Sequence, residues 1–259
     1  MTRIDSNYNS NNNYYYEQRN PLSAELGWIL ATTASGLVYK TLPSFSNPFL
    51  KQMTKEHANN HIYKDAFIKS INESGLAKKG LELIHDANPA TDIGKGLNAC
   101  YIPASKQIKL NLEKASISGF HEAGHAWNHL KSKTGRILQA LRAPGYAIAG
   151  LMSTVALFSR NKPKEAERDF KDIIQDNCGK IAFIAMLPTV AEEALASRRG
   201  IKLAKLGGLS ESAIKNLKKF YGKALLSYIG YAIVTGLSVF SASKIMEKFT
   251  RPKKVEYPY

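Results

Sequence analysis

Long uncharged stretches interrupt the polar sequence of this chain. The longest runs from Ala224 to Ser243, and another, from Ala143 to Ser159, carries small residues four apart at Gly145, Ala149 and Ser153. A helix needs about 20 apolar residues to cross a bilayer, and only the first stretch reaches that length. Small residues at this spacing favour close helix packing in lipid. The pattern predicts membrane association, with core helices of a soluble protein as the alternative.

Two shorter uncharged stretches fall below the spanning length. Leu26 to Tyr39 fits a signal anchor, an interfacial helix or a buried core helix. Ile181 to Ala191 leads directly into Glu192 and Glu193. Together with the uncharged stretch that begins at residue 143, it predicts a hydrophobic helical hairpin over residues 143–191.

Between the uncharged stretch that ends at Tyr39 and the one that begins at Ala143, the spacing of apolar residues changes from a helical to an alternating pattern. Ile62 to Asn72 has apolar residues at helical spacing and Gly75 as a stop. The alternating runs Leu81 to His85, Leu97 to Ile102 and Gln107 to Leu112 predict strands. The fold class expected is therefore mainly α with a small antiparallel β-sheet (α+β).

The last of these runs, Ile108 to Leu112, immediately precedes the most informative motif of the chain. As an edge strand it would offer a place where an extended peptide could add as a further strand. As an ordinary core strand it would not. The sequence leaves both interpretations open.

These patterns predict a domain organisation. Residues 1–20 are rich in Asn and Tyr and are expected to be a disordered tail. Residues 21–50 form an N-terminal hydrophobic or anchor segment. Residues 51–220 form the main domain, which includes the hairpin, and residues 221–259 form a C-terminal hydrophobic helix with a basic tail.

The composition of the chain limits the classes of partner and of metal site that can be expected. The formal net charge of +15 suggests an anionic partner, either membrane lipid or nucleic acid. No interleaving of aromatic and basic residues stands out, so nucleic acid is not expected. Cys100 and Cys178 are the only cysteines and form no C-x-x-C pair, which argues against a thiolate metal site. Nothing in the sequence indicates an oligomeric state.

The candidate metal ligands and general base lie in an H-E-x-x-H motif, His121-Glu122-Ala123-Gly124-His125. In a helix His121 and His125 lie one turn apart, so both imidazoles can reach one Zn²⁺, and one zinc ion per chain is expected. Glu122 is placed to hold a water molecule and act as the general base. Gly124 costs about 1 kcal/mol against Ala inside a helix, which is explicable if something approaches that face closely.

A catalytic zinc needs a third protein ligand and one open position. Glu193 is the better candidate, because Ser197 lies four residues on and could orient a ligating imidazole from behind. Glu192 has only an alanine at that offset. His129 is a poor third ligand, since two helical turns separate it by about 12 Å from His121. Candidates for contacts to the substrate or transition state are Asn98, Tyr101 and Arg198.

The order of these features resembles the membrane zinc metallopeptidases of the bacterial heat-shock protease and CAAX prenyl protease family (gluzincins). The resemblance covers about residues 80 to 200. It implies His121, His125 and Glu193 as zinc ligands, Glu122 as base and a polypeptide substrate. The chain departs from the family's E-x-x-A-D pattern, because Ser197 stands where an aspartate is expected. A hydroxyl polarises the imidazole less than a carboxylate, so metal affinity or turnover could be lower.

The expected function is thus a zinc-dependent metalloendopeptidase bound to a membrane. Basic residues flank the zinc motif, and by the positive-inside tendency the active site would face the cytoplasm. One alternative is a soluble intracellular zinc peptidase in the cytoplasm. Another is a non-catalytic protein that binds a membrane or another anionic surface.

Overall fold

The computed structural model of the chain describes residues 14–17, 19–33, 36, 51, 52, 55, 61–114, 117–160 and 162–256. It is mainly helical. Beyond a helical segment over residues 21–33, the helices are α1 (His61–Glu73), α2 (Ser118–Lys131), α3 (Lys133–Ala156), α4 (Phe170–Leu206) and α5 (Glu211–Thr250), with a 3₁₀ turn at Ala77–Lys79. The strands are β1 (Tyr14–Glu17), β2 (Glu82–His85), β3 (Ala99–Ile102), β4 (Gln107–Leu110) and β5 (Lys253–Glu256). The predicted α+β class is confirmed.

The three-stranded sheet has mixed pairing, in the order β2-β4-β3. β3 pairs with β4 antiparallel, with Tyr101 opposite Ile108, and β2 pairs with β4 parallel, with Leu83 opposite Ile108. The prediction of an antiparallel sheet is therefore wrong for the second pair. The connection over residues 86–98 carries β3 to the far side of β4, so β2 neighbours β4 instead.

β4 is the central strand, which decides between the two interpretations of the run over residues 108–112. Ile108 and Leu110 are fully buried, as a core strand requires. The edges of the sheet are β2 and β3, and β3 packs beside α2. Among the described strands, a free sheet edge therefore lies next to the H-E-x-x-H motif, although it belongs to β3 and not to the strand considered from sequence.

The helix expected over residues 62–72 is present as α1. Its apolar positions Tyr63, Phe67 and Ile71 are all buried, as the helical period required. Gly75 ends it with a φ of 69°, a left-handed conformation that glycine adopts without steric cost. Both the helix and its stop are confirmed.

Contacts along the chain define two compact units. The sheet unit consists of Leu42–Gly145 and Met186–Ala232, and the terminal unit of Met1–Thr41, Tyr146–Ala185 and Ile233–Tyr259. α3, α4 and α5 each contribute residues to both units. These limits differ from the domain boundaries expected from sequence, because the hairpin region is divided between the units.

The sheet unit holds the core that positions α2. Phe67 of α1 meets Phe120 of α2 edge to face, with ring centroids 5.4 Å apart. The Tyr221 hydroxyl of α5 donates a hydrogen bond of 2.6 Å to the Ile117 carbonyl, just before α2 begins. Burying each aromatic ring contributes about 2–3 kcal/mol. The start of α2 is thereby fixed against α1 and α5.

The terminal unit contains a buried arginine. The Arg160 guanidinium donates hydrogen bonds of 2.8 Å to Gln175 of α4 and to Ser243 of α5. The Arg160 backbone N–H donates to the Thr250 hydroxyl. These bonds satisfy a charge that burial would otherwise penalise.

The ends of the chain meet in the terminal unit. β1 pairs antiparallel with β5, and Ser23 donates a hydrogen bond to the Phe249 carbonyl. A disordered tail was expected over residues 1–20, but residues 14–17 form a strand; residues 1–13 and 18 lie outside the described residues. Of the anchor segment expected over residues 21–50, residues 21–33 are helical, and most of the remainder also lies outside them.

Among the described residues, α5 is the one helix long and apolar enough to cross a bilayer. Its most apolar part is only 28% buried. A core helix of a soluble protein would be mostly buried. α3 and α4, which contain the predicted hairpin, do not meet the same criterion of length and composition.

Candidate metal centre

α2 presents two histidines from successive turns. Phe120, Ala123 and Ala126 face the core of the sheet unit, which fixes the rotation of the helix. His121 and His125 then lie side by side, with ring centroids 4.6 Å apart and their Nε2 atoms 3.1 Å apart. Both Nε2 atoms can therefore approach one ion.

Two glycines bring α4 against this face of α2. A Cβ atom at Gly124 would lie 2.0 Å from the Ala196 carbonyl oxygen, and one at Gly200 would lie 2.6 Å from the Phe120 carbonyl oxygen. Only glycine permits such a backbone approach. Glu193 stands one turn before Ala196 and so arrives beside the histidines. The close approach expected at Gly124 is confirmed.

The three side chains form a compact donor triangle. Glu193 Oε2 lies 3.0 Å from His121 Nε2 and 3.4 Å from His125 Nε2. Metal–ligand bonds of 2.0–2.1 Å in tetrahedral geometry place donor atoms about 3.3 Å apart. His121, His125 and Glu193 thus form a cluster that could hold a metal ion.

Glu192, the carboxylate that the sequence ranked second, lies behind this triangle. It is completely buried and joins His125 Nδ1 at 2.9 Å. Asn128 and Gln139 also donate hydrogen bonds to it, at 2.7 and 3.0 Å. A bond at Nδ1 fixes the imidazole with its Nε2 atom towards the triangle, as in carboxylate–histidine–metal arrangements.

Arg142 of α3 joins the two adjacent carboxylates. Its guanidinium donates to Glu192 at 2.9 Å and to Glu193 at 3.0 Å. A planar guanidinium suits such bidentate contacts better than an ammonium group does. Arg142 therefore offsets the repulsion between two buried negative charges and fixes the orientation of Glu193.

The pKa values reflect this concentration of charge. Burial disfavours the imidazolium of His125, but hydrogen bonds with Glu192 and Glu193 outweigh burial and raise its pKa to about 10. Burial likewise opposes ionisation of Glu192 and Glu193, yet their histidine contacts hold the pKa of both carboxyls below the usual value. Without a metal ion, His125 carries a proton at neutral pH that metal binding must displace.

Ser197 supports the other histidine. Its Oγ lies 3.2 Å from His121 Nδ1. The two imidazoles therefore have different supports: a hydroxyl behind His121 and the Glu192 carboxylate behind His125. The stronger acceptor, the Glu192 carboxylate, therefore lies behind His125 and not behind His121.

Glu122 points from α2 towards the free edge of the sheet. Its Oε2 accepts a hydrogen bond of 2.7 Å from the Tyr101 backbone N–H in β3. The Tyr101 hydroxyl is joined to His129 Nδ1 at 2.7 Å, away from the donor triangle. Tyr101 therefore contributes its backbone to the site, whereas its side chain is engaged elsewhere.

Two other candidates from sequence show no contact to the donor triangle. The Asn98 side chain accepts the N–H of Ala99 at the start of β3. Arg198 is exposed and lines a separate groove between α2 and α4. Neither residue has a hydrogen bond or ion pair with the three donors in the part of the chain that the structure describes.

Sequence reasoning missed the roles of Glu192 and Arg142. An acidic residue next to Glu193 was visible, but its partners lie on α2 and α3, and no offset along α4 reveals them. Arg142 looked like one of several basic flanking residues. The one available signal was the pair of adjacent glutamates in an otherwise uncharged helix segment, which needs a cation and hydrogen-bond donors when buried.

The raised pKa of His125 predicts how stability depends on pH. A group whose pKa is higher in the folded state stabilises fully below its unfolded value of 6.5, and this contribution is lost as the pH rises through about 10. The metal-free protein should therefore lose stability between pH 6.5 and 10. Thermal melts with a chelator across this range measure it, and the increase in Tm caused by zinc should grow with pH.

His85 is a suitable control, because it is an exposed histidine in β2 outside the donor cluster. The His85→Gln variant should keep the same pH profile. A flat profile for the metal-free wild type would show that His125 is not held protonated by Glu192 and Glu193.

Comparison of the chain with models of known protein families, with curated proteins and with solved structures found no match.

Proposed function

We propose that the chain is a zinc-dependent metalloendopeptidase associated with a membrane. The proposal depends on one observation: His121, His125 and Glu193 come together in a triangle with the dimensions of a zinc site. Glu122, the residue after His121, supplies a carboxylate next to this triangle. Two histidines and a glutamate are an established ligand set for catalytic zinc, which keeps its fourth position open. The similarity of motif order to the heat-shock and CAAX prenyl proteases supports the same assignment.

Each residue has a defined role in the proposed reaction. When bound, zinc would supply Lewis-acid chemistry, polarising the scissile carbonyl and acidifying the attacking water. Glu122 accepts the proton of that water and delivers it to the leaving amine. Its hydrogen bond to the Tyr101 N–H holds the carboxylate near β3. Ser197 and Glu192 orient the two imidazoles.

The polypeptide substrate would bind along the free edge of β3. The strand lies beside α2, and an extended peptide could add there as a further strand. Its pairing at Tyr101 would compete with the hydrogen bond from the Tyr101 N–H to Glu122. The scissile bond would then lie in reach of Glu122. Main-chain pairing of this kind is open to any extended peptide and selects no particular side chains. It is compatible with cleavage inside a polypeptide and predicts no cleavage sequence.

Membrane association rests on α5 and on apolar side chains at the surface. The terminal unit exposes large hydrophobic residues from its helical segments, among them Trp28, Leu151, Ile184 and Leu237. Exposed apolar groups in such number indicate contact with lipid or with another apolar surface. We propose that α5 is embedded in the bilayer and that the basic residues around the zinc motif face the cytoplasm.

Extraction distinguishes a membrane enzyme from a soluble one. Vesicles from cells expressing the full chain are washed with high salt and then with alkaline carbonate. An embedded chain stays with the lipid in both washes, whereas a soluble peptidase attached by charge is released. Release of the whole chain by salt would establish the soluble alternative while leaving the zinc assignment intact.

The carboxylate behind His125 gives a separate prediction. Glu192→Gln should lower zinc affinity roughly 10–100-fold, the usual effect of losing such a supporting group. Competition with a chelating dye measures the affinity. The exposed Glu73 at the end of α1 supplies the control, and Glu73→Gln should bind zinc as the wild type does. Equal affinities for the two variants would mean that Glu192 only fills space.

A further inference from the structure

A basic groove lies on the sheet unit outside the donor cluster. It has a volume of about 530 Å³ and is formed by α2 and α4. Its lining is four cationic and three apolar or aromatic residues: Trp127, Leu195, Arg198, Arg199, Ile201, Lys202 and Lys205. No acidic side chain lines it.

Three of the cations have no carboxylate partner among the described residues. Arg198, Lys202 and Lys205 recur along one face of α4, and all three are exposed. No ion pair joins them to a carboxylate of the described residues. Arg199 differs, because its guanidinium is committed to Asn128 and Ser132. The groove therefore offers a positive field with few internal counter-charges.

The Trp127 indole ring lies between Lys202 of the groove and Lys131 at the end of α2. The Nζ atoms of Lys131 and Lys202 lie 4.7 and 5.1 Å from the centre of the Trp127 ring. Each is close enough for a cation–π interaction. Tryptophan beside lysine is typical of the interface between water and lipid headgroups.

The position of the groove in the chain favours one ligand. Residues 198–223 contain eight lysines and arginines against one acidic residue, Glu211, and lead into the uncharged stretch from Ala224 to Ser243. Basic clusters beside a spanning helix attract anionic lipids. An acidic peptide would also be attracted by charge, but the groove lies between two helices and offers no strand edge for its backbone. We propose that this groove binds the phosphate headgroup of an anionic phospholipid, an inference that rests on the membrane association proposed above.

Quenching of Trp127 fluorescence tests the proposal directly. The full chain, with Trp28→Phe so that Trp127 is its single tryptophan, is reconstituted in vesicles of equal parts phosphatidylcholine and phosphatidylglycerol. Brominated acyl chains are placed on one lipid or on the other. Brominated phosphatidylglycerol should quench Trp127 more strongly, because it occupies the groove preferentially.

A triple variant removes the three exposed cations: Arg198→Gln, Lys202→Gln and Lys205→Gln. The preference for phosphatidylglycerol should fall at least about fivefold, the factor expected from one cation near an anionic surface. The matched control changes three exposed lysines elsewhere on the same unit, Lys78→Gln, Lys79→Gln and Lys95→Gln, and should retain the preference. Unchanged circular dichroism spectra and melting temperatures in both variants show that the chain is folded.

Several outcomes would overturn the proposal. They are equal quenching by the two lipids, an equal loss in both triple variants, and displacement of the brominated lipid by a tetraglutamate peptide at an ionic strength where sodium chloride leaves the lipid bound. Release of the chain by alkaline carbonate would refute the embedding of α5, whereas the quenching measurements decide the lipid site. Zinc content and peptide hydrolysis test the metallopeptidase assignment independently of these results.

Discussion

Replacing Glu122 by glutamine is expected to slow peptide hydrolysis roughly 10²–10⁴-fold, the usual contribution of a general acid–base group, without loss of zinc. The amide has nearly the size of the carboxylate, and its oxygen can still accept the Tyr101 N–H that Glu122 accepts at 2.7 Å. An amide cannot take up the proton of the attacking water. The measurement is kcat on a quenched fluorescent peptide mixture, together with zinc per chain.

Glu82 supplies the matched control, since it is an exposed glutamate in β2 away from the donor triangle. Glu82→Gln should retain both hydrolysis and zinc. If Glu122→Gln cleaved peptides at the wild-type rate, the assignment of the base would be wrong. A non-catalytic protein that binds membranes or anionic surfaces would show no zinc-dependent hydrolysis in either variant.

The second large effect is expected on metal content. His121→Ala and Glu193→Ala should each reduce bound zinc from one per chain to a small fraction, because each removes a vertex of the donor triangle. The loss of affinity should exceed the roughly 10–100-fold cost of removing a supporting group such as Glu192. Elemental analysis of purified protein after equilibration with limiting zinc measures the difference.

The controls for this experiment are His85→Ala and Glu73→Ala, which remove the same side chains at exposed positions. Both should retain zinc as the wild type does. One zinc per chain in both His121→Ala and Glu193→Ala would show that the ion, if bound, lies elsewhere. The proposed active centre would then be refuted, whereas the lipid groove would still stand or fall by its own test.

Local sequence patterns predicted the elements well. The helical period over residues 62–72 and the glycine that follows it account for α1, and alternation accounts for the three strands. These features depend on neighbours a few residues apart, which a sequence displays directly. Glu193 was predicted as the third ligand from the position of Ser197 four residues on, and Gly124 indicated only that some group approaches that face of α2.

What the sequence could not predict depends on distant partners. The parallel pairing of β2 with β4 is decided by where the connection over residues 86–98 lies, and alternation in each strand is the same for either pairing. The choice between Glu192 and Glu193 was made from offsets within one helix. Their different roles come from Asn128, Gln139 and Arg142, which reach them from α2 and α3.

Because Gly124 contacts Ala196, the distances between the three donor atoms depend on how closely the backbones of α2 and α4 approach each other. Any side chain at position 124 would push α4 away by more than an ångström, since a methyl group there would stand 2.0 Å from a carbonyl oxygen. Glu193 would recede from both imidazoles by a similar amount, whereas metal sites tolerate only about 0.2 Å. A residue that touches no ligand can thus be as intolerant of change as the ligands themselves.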